Sequence, residues 1–390
     1  MKSSSYLIIG AGLTADSACK AIRQRDPDGS ILVIGEELHP PYLRPPLSKA
    51  LWKGEQEESI WRGTDALGVD LRLGRRAVAL DLDARSVSDD AGEVHGYERL
   101  LLATGGRPRR LPFGGDDVIY FRTLDDYRRL RAVAVAGLRV CVIGGGFIGS
   151  EIAAALALND CRVTMVFPEP GIGARLFPTQ LSAGLNDYFR NHDVDVRPQS
   201  SVAMIDRTGE TVRVTLADGS VVEADVVVAG IGIAPNVELA ADAGLPTPDG
   251  ITVDAYGHVG GRDDVFAAGD VARFPAAALG HELRVEHEDH AKTHGRLVGA
   301  NMAGARERYD HLPFFYSDLF DAGYEAIGEL DPRLDTLVEW SEPEGEGTVT
   351  YLDRQRRSRG LLLWNRFGHL DAARELISAG EPIGQHVQVG

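Results

Sequence analysis

Tyr6-Leu-Ile-Ile-Gly10-Ala-Gly12-Leu-Thr-Ala15 stands almost at the N-terminus and reads as a strand running straight into a helix. A short apolar run stops at Gly10, a second glycine follows at Gly12, and small Ala15 sits where the helix must pack closely on the strand. This is the Gly-x-Gly-x-x-Ala form of the dinucleotide fingerprint. Its glycines let the backbone approach a pyrophosphate, whose charge is held by amide groups and dipole at the helix N-terminus. An ordinary strand-turn-helix corner can carry the same letters, so the next strand matters. Ile31-Leu-Val-Ile-Gly35 is that strand, and Glu36 follows it, about 20 residues past Ala15, where an acid meets a ribose hydroxyl.

The idea recurs. Arg139-Val-Cys-Val-Ile-Gly144-Gly-Gly146-Phe-Ile-Gly149 is a second strand, turn and helix with all three glycines present, and the strand Arg162 to Val166 leads to Glu169. Two fingerprints predict two dinucleotides. An acid after the second strand favours a free ribose hydroxyl, hence NADH over NADPH, with Arg175 close enough in sequence to bear on the choice.

Between and beyond the fingerprints, Pro40 to Lys49 is too proline-rich for a strand or helix interior and is expected to form a rigid loop that opens a helix after Pro46. It carries Arg44 and Lys49. Leu71 to Leu102 alternates short strands with turns and ends in Ala103-Thr104-Gly105-Gly106, small residues that let a backbone touch a ligand. Val212 to Leu216 and Val221 to Glu223 read as a hairpin across Asp218-Gly219, and Asp225 to Asn236 as a buried strand closing on Gly232 and Pro235. Val265-Phe-Ala-Ala-Gly269-Asp270 reads as a strand followed by a helix start, with a carboxylate placed to accept from hydroxyls.

The bulk properties narrow the function classes. The 390 residues are 44% hydrophobic and 25% charged, an ordinary globular composition with room for two or three domains. A formal charge of -17 repels nucleic acid and anionic membrane surfaces. Cys19, Cys141 and Cys161 are the only cysteines and form no close pair, as expected in a reduced compartment, and no run approaches transmembrane length; the expected location is the cytoplasm.

In this order the segments resemble the two-dinucleotide flavoprotein family that includes glutathione reductase, ferredoxin and rubredoxin reductases, and apoptosis-inducing factor. Pro41 to Trp52, Gly144 to Glu151, Phe167-Pro-Glu169, Val285 to His290, Ser317-Asp-Leu and Gly323 to Gly328 look most like apoptosis-inducing factor. The resemblance spans essentially the whole chain. It implies an α/β fold with two Rossmann-like, glutathione-reductase-like dinucleotide domains and a C-terminal α+β domain. The expected boundaries are residues 1–112 and 240–310 for FAD, 113–239 for NADH, and 311–390 for a flavin-covering domain that offers a homodimer or partner surface.

Carried over by position, the resemblance puts FAD on Gly10, Gly12, Ala15, Glu36, Arg44, Lys49, Thr104, Gly105, Arg122, Gly269 and Asp270, with Glu286 and His287 beside the flavin. It puts NADH on Gly144, Gly146, Gly149, Glu151, Glu169 and Gly232, with Phe147 covering the flavin face. Lys49 and Glu151 are expected as an ion pair, since a cation near the isoalloxazine favours its anionic reduced form. Tyr316 stands where the family pattern has a stacking tryptophan. No metal is expected: His290 and His294 lie at helical spacing without an evident third ligand.

The implied chemistry is hydride transfer, which needs stacking and orientation and no protein nucleophile. One reading is an NADH-dependent FAD enzyme that hands electrons to an external acceptor, a ferredoxin-type protein or else quinone or oxygen. Pro40 to Lys49 occupies the region where disulfide reductases of this fold carry redox cysteines. Ferredoxins are usually acidic, so arginine groups such as Arg107, Arg109 and Arg110, or Arg128, Arg129 and Arg131, would have to attract one locally. The alternative is an NADH oxidase or sensor that holds a long-lived reduced flavin-NAD charge-transfer complex and changes dimerisation or partner binding. The run Arg354 to Arg359 reads as a solvated hairpin turn.

Overall fold

A computed structural model describes residues 2–341 and 345–384, so the final six residues of the expected C-terminal domain lie outside the described residues. The chain divides into two compact units, each assembled from separate stretches. The first comprises residues 1–43, 57–107 and 234–314, the second residues 44–56, 108–233 and 315–390.

The first unit is built on a seven-stranded sheet. Strand Lys2–Ile9 pairs in parallel with Ile31–Gly35 on one side and Val94–Leu102 on the other. Asp70–Leu73 and Val265–Ala267 extend the parallel part, and Ser86–Asp89 with Ala77–Asp81 add an antiparallel edge. Every residue of Ile31–Gly35 is buried, as a strand covered on both faces requires. Helix Leu13–Arg25 runs against helix Glu288–Met302, and small residues allow it. A side chain at Gly295 or Gly299 would lie 2.5 Å from the carbonyl oxygen of Thr14 or Ala18. Tyr6, Ile8, Ala15, Ile22, Val33 and Phe266 lead the core between sheet and helices.

The second unit repeats the plan with five parallel strands in the order Asp195–Arg197, Arg162–Val166, Arg139–Ile143, Val226–Ala229, Val118–Tyr120. The expected hairpin is present as Thr211–Leu216 paired with Val221–Ala224, and Val202–Thr208 joins it as a third strand. A five-stranded sheet of residues Phe314–Leu319, Ala322–Gly328, Ser358–Trp364, Glu346–Leu352 and Asp335–Ser341 follows, with helix Leu370–Ala379. Buried Tyr351 donates to the Leu176 carbonyl at 2.7 Å, in the loop between strand Arg162–Val166 and helix Thr179–Arg190. The arginine-rich stretch is a hairpin turn in which Arg357 donates to Asp353 and Arg359 to Glu329.

Three local readings change. The loop after Pro40 forms short 3-10 turns at Pro45–Ser48 and Ala50–Lys53, because successive prolines suit a tight turn better than a continuing helix. Residues Arg44–Gln56 group with the second unit, where Trp52 meets the Tyr127 ring at 5.6 Å and Asn159 donates to the Trp52 carbonyl at 3.3 Å. The helix expected to start at Gly269-Asp270 is only a turn, Gly269–Val271. Strand Ala272–Ala276 follows at once and is held by pairing with Ile251–Thr252 and His281–Leu283, so the long helix begins at Glu288.

Candidate functional site

The candidate residues form one set in each unit. In the first, Gly10 adopts φ +105°, and a Cβ there would lie 2.1 Å from the Ala103 carbonyl oxygen, so strand and returning chain touch at this point. Gly12 then caps helix Leu13–Arg25 without any side-chain hydrogen bond to its amides, and a Cβ on Gly12 would meet nothing within 4 Å. The helix therefore opens its first-turn N–H groups onto free space. Asp16, the acid in that turn, does not fill it: fully buried, it accepts from Thr64 at 2.8 Å and Arg62 at 3.0 Å and pairs with Lys20 at 2.9 Å. These features fit an anionic diphosphate.

The Gly269-Asp270 turn comes to the same helix start, since a Cβ on Gly269 would sit 2.2 Å from Thr14 Oγ1. Ala15 is buried in the core and Glu36 is exposed just past Ile31–Gly35. Thr104 spends its hydroxyl on the Asn236 carbonyl at 2.6 Å, while the Asn236 amide donates to the Thr104 carbonyl at 2.9 Å, and Asn236 N–H donates to the Gly105 carbonyl at 2.9 Å. Thr104 thus fixes its loop by its side chain. Glu286 is held by Arg284 at 2.8 Å, and the same guanidinium reaches Asp249 at 3.1 Å. His287 caps helix Glu288–Met302; desolvation pushes its imidazole down to about 4, against the opposing pull of Asp270 and Asp289.

One turn further on, His290 and His294 are fully buried, among Phe274 and Tyr309. His290 Nδ1 lies 2.8 Å from the Tyr309 hydroxyl, and the His294 ring stacks on Tyr309 at 4.4 Å. Burial pushes His294 down to about 3 and His290 well below its ordinary value. An unfolded histidine takes a proton near 6.5. Below that pH the unfolded chain binds protons that the folded one refuses, so stability falls as pH drops. For His294 the loss at pH 5 is about 2 kcal/mol. The variant His294→Leu should therefore lose less of its Tm between pH 7 and pH 5 than the wild type does. Parallel curves would contradict this.

In the second unit, Gly144 adopts φ +115°, and a Cβ there would lie 2.4 Å from the Gly230 carbonyl oxygen. Gly149 packs its helix on the strand, since a Cβ would fall 2.0 Å from the Gly144 carbonyl oxygen. Gly146 caps helix Phe147–Ala157 with no side-chain cap, no acid in the first turn, and nothing within 4 Å of a built Cβ. This opening also fits a diphosphate. Glu169 accepts from Arg175 Nε at 2.8 Å, and Gly232 receives the Arg109 N–H at 2.9 Å.

Glu151 lies on the same helix with only 3% of its side chain exposed. Lys49 Nζ is 2.7 Å from Oε1, and the Tyr316 ring centroid is 5.1 Å from that ammonium. Ser48 donates to Oε2 and Ser317 to Oε1, each at 2.6 Å. The Phe147 and Phe315 rings pack edge to face with centroids 5.0 Å apart. Arg44 donates to the Arg122 carbonyl at 3.1 Å, just ahead of the capping box that Thr123 and Asp126 give helix Leu124–Val133. The expected partners Lys49, Glu151, Tyr316 and Phe147 thus share one unit with Ser48, Ser317 and Phe315, which sequence reasoning assigned no role. Ser317 and Ser48 both stand inside the family-like segments Ser-Asp-Leu and Pro-Leu-Ser-Lys, which is the sequence signal for them.

The arginine groups are locally engaged. Arg107 pairs with Glu238, Arg110 lies 4.8 Å over the Tyr120 ring, and Arg129 donates to the Asp116 carbonyl. All three cysteines are free and buried, and burial raises their thiols, Cys19 and Cys141 to about 12. No helix among the described residues is long and apolar enough to cross a membrane.

Comparison with known proteins adds to this geometry. The signature of the pyridine nucleotide-disulphide oxidoreductases matches residues 4–295, and that of the C-terminal region of mitochondrion-associated apoptosis-inducing factor matches residues 298–346. The ferredoxin–NAD(+) reductase component of the anthranilate 1,2-dioxygenase system of Burkholderia cepacia is 37% identical, over 97% of this chain and 95% of its own. Apoptosis-inducing factor 1 of Dictyostelium discoideum is 32% identical, over 95% of this chain and 78% of its own. Among solved structures, putidaredoxin reductase in its covalent complex with putidaredoxin superposes with a TM-score of 0.91 at 30% identity, covering 98% of this chain and 95% of its own.

Proposed function

This chain belongs to the pyridine nucleotide-disulphide oxidoreductase family, and on that premise we propose that it passes electrons from NADH, through FAD, to a small iron-sulfur protein of the ferredoxin type. It is an FAD-containing, NADH-dependent oxidoreductase. When bound, FAD would supply the redox chemistry, acceptance of a hydride from NADH and release of single electrons.

The observation that carries the site reading is the buried Lys49–Glu151 pair, on the helix that Gly146 opens. Lys49 supplies positive charge where reduction adds negative charge, and Glu151 orients that ammonium. Phe147, packed edge to face with Phe315, excludes water until nicotinamide takes its place, and Tyr316 keeps an aromatic wall under Lys49. Gly144, Gly146 and Gly149 bring the helix N-terminus to the NADH diphosphate, Glu169 accepts from the ribose, and Gly232 leaves room for the nucleotide. In the first unit, Gly10, Gly12 and Ala15 serve the FAD diphosphate, Glu36 its adenosine ribose, and Asp270 after Gly269 its ribityl chain. Thr104 and Gly105 shape the adjoining loop. Arg44 and Arg122 offer positive charge to FAD, and Glu286 with neutral His287 lines the ring.

An external acceptor follows from cysteine chemistry. A thiolate relay needs an accessible pair with low pKa, whereas these three thiols are buried, unpaired and raised. Unpaired cysteines also support placing the protein in the cytoplasm. The test is NADH-dependent reduction of a purified [2Fe–2S] ferredoxin, followed by its visible absorbance over a salt series. A kcat/KM of about 10⁵ M⁻¹ s⁻¹ or more is expected, and the salt series shows whether attraction or repulsion governs the encounter. Electron flow only to oxygen or quinone would remove the ferredoxin assignment.

The match to the apoptosis-inducing factor C-terminal region supports a second reading, in which the reduced protein persists and changes partner or homodimer binding. An NADH-dependent change of mass in sedimentation is its signature.

A further inference from the structure

Glu151 is the one charged residue in helix Phe147–Ala157, whose other members are apolar, glycine or serine. Its carboxylate is compensated from three directions. Ser48 comes from the 3-10 turn Pro45–Ser48, Lys49 follows it, and Ser317 comes from strand Phe314–Leu319. Ser48 donates to Oε2, while Ser317 and Lys49 share Oε1. Behind Ser317 lies Tyr324, 2% exposed, whose phenol hydrogen-bonds with Ser317 and is pushed well above its ordinary range by burial and by the Glu151 charge. Short bonds to a carboxylate are the strong kind, and both hydroxyls lie out of solvent.

A buried carboxylate with a single cation as its partner holds that cation fast, because separating them leaves an uncompensated charge out of water. Two fixed hydroxyl donors change the balance. We propose that Ser48 and Ser317 are positioning residues for hydride transfer: they hold the Glu151 carboxylate in place and share its charge, which leaves the Lys49 ammonium able to turn toward bound flavin and nicotinamide. The Tyr316 face 5.1 Å away offers the ammonium a second favourable contact as it turns. Without the serines, Glu151 draws Lys49 onto itself. The proposal rests on the reading of Lys49 and Glu151 given above.

The test uses the holoprotein with Ser48→Ala, Ser317→Ala and Ser48→Thr, and with Lys49→Met and Glu151→Gln alongside. Stopped-flow reduction by NADH gives the limiting rate and the apparent Kd, and redox titration gives the flavin midpoint potential. Each alanine variant is expected to lower the limiting rate at least tenfold, to leave the NADH Kd within threefold, and to make the midpoint more negative. Ser48→Thr, which keeps the donor, should stay within twofold of wild type in rate and midpoint. A merely structural serine would lower Tm without moving the midpoint. Alanine variants with unchanged rate and midpoint would overturn the proposal. If Lys49→Met and Glu151→Gln slow reduction while the alanines do not, the serine proposal alone fails; if neither slows it, the underlying site reading fails too.

Discussion

The variant Gly12→Val should fold, purify without colour, and take up FAD at least 100-fold more weakly than the wild type, a loss of about 2.7 kcal/mol or more. Gly12 sits in extended backbone at φ -95°, a conformation valine adopts freely. Nothing of the protein lies within 4 Å of a Cβ at this position, so the added side chain does not disturb the core. What it does fill is the space in front of the first-turn amides of helix Leu13–Arg25, the groups assigned to the FAD diphosphate. The readout is the 450 nm absorbance per protein, with Tm of the apoprotein as the control for folding. Full flavin content in the purified variant would show that the diphosphate is bound elsewhere. Gly10→Val is a poor substitute, because its Cβ would strike the Ala103 carbonyl and unfold the turn itself.

Gly146→Val is expected to separate the two nucleotides. Gly146 is likewise in extended backbone, at φ -86°, with open space before the uncapped helix Phe147–Ala157. The variant should keep its flavin spectrum and its reduction by dithionite, yet bind NADH at least 100-fold more weakly, again about 2.7 kcal/mol or more. Since Glu151 is five positions past Gly146 on the helix it caps, a shifted helix would also lower the limiting rate; a valine that only blocks the diphosphate raises the NADH Kd and leaves the limiting rate near wild type. Unchanged NADH affinity would show that the second fingerprint is not the nucleotide site.

Both fingerprints were legible because their requirements are local: a strand, two or three glycines at fixed offsets, and a helix whose first turn is uncapped. The hairpin around Asp218-Gly219 was legible for the same reason, since turn chemistry and alternation sit within a dozen residues. Gly269-Asp270 was misread as a helix start because the same residues suit a tight 3-10 turn, and the choice is made by strand Ala272–Ala276 pairing with partners on both sides. The Glu151 hub was harder to see. Its serines stand 103 and 166 residues away, and no periodicity in the chain links them. Lys49 and Glu151 are legible through family resemblance, whereas the two hydroxyls beside their buried 2.7 Å contact are set by tertiary packing alone. Loop Arg44–Gln56 shows the same limit: its place with the second unit depends on Trp52, Ser48 and Lys49 finding partners far along the chain.

The central claim is that this protein turns NADH oxidation into electron delivery to a ferredoxin-type acceptor. Double-mixing stopped-flow absorbance tests it most directly: the oxidised holoprotein is mixed with NADH without oxygen, and after a short delay with a [2Fe–2S] ferredoxin. The account predicts flavin bleaching at about 10 s⁻¹ or faster, then prompt return of the flavin bands as the ferredoxin bleaches. A slow bleach, with a long-wavelength band that persists after ferredoxin is added, would contradict it and favour the NADH-sensing reading.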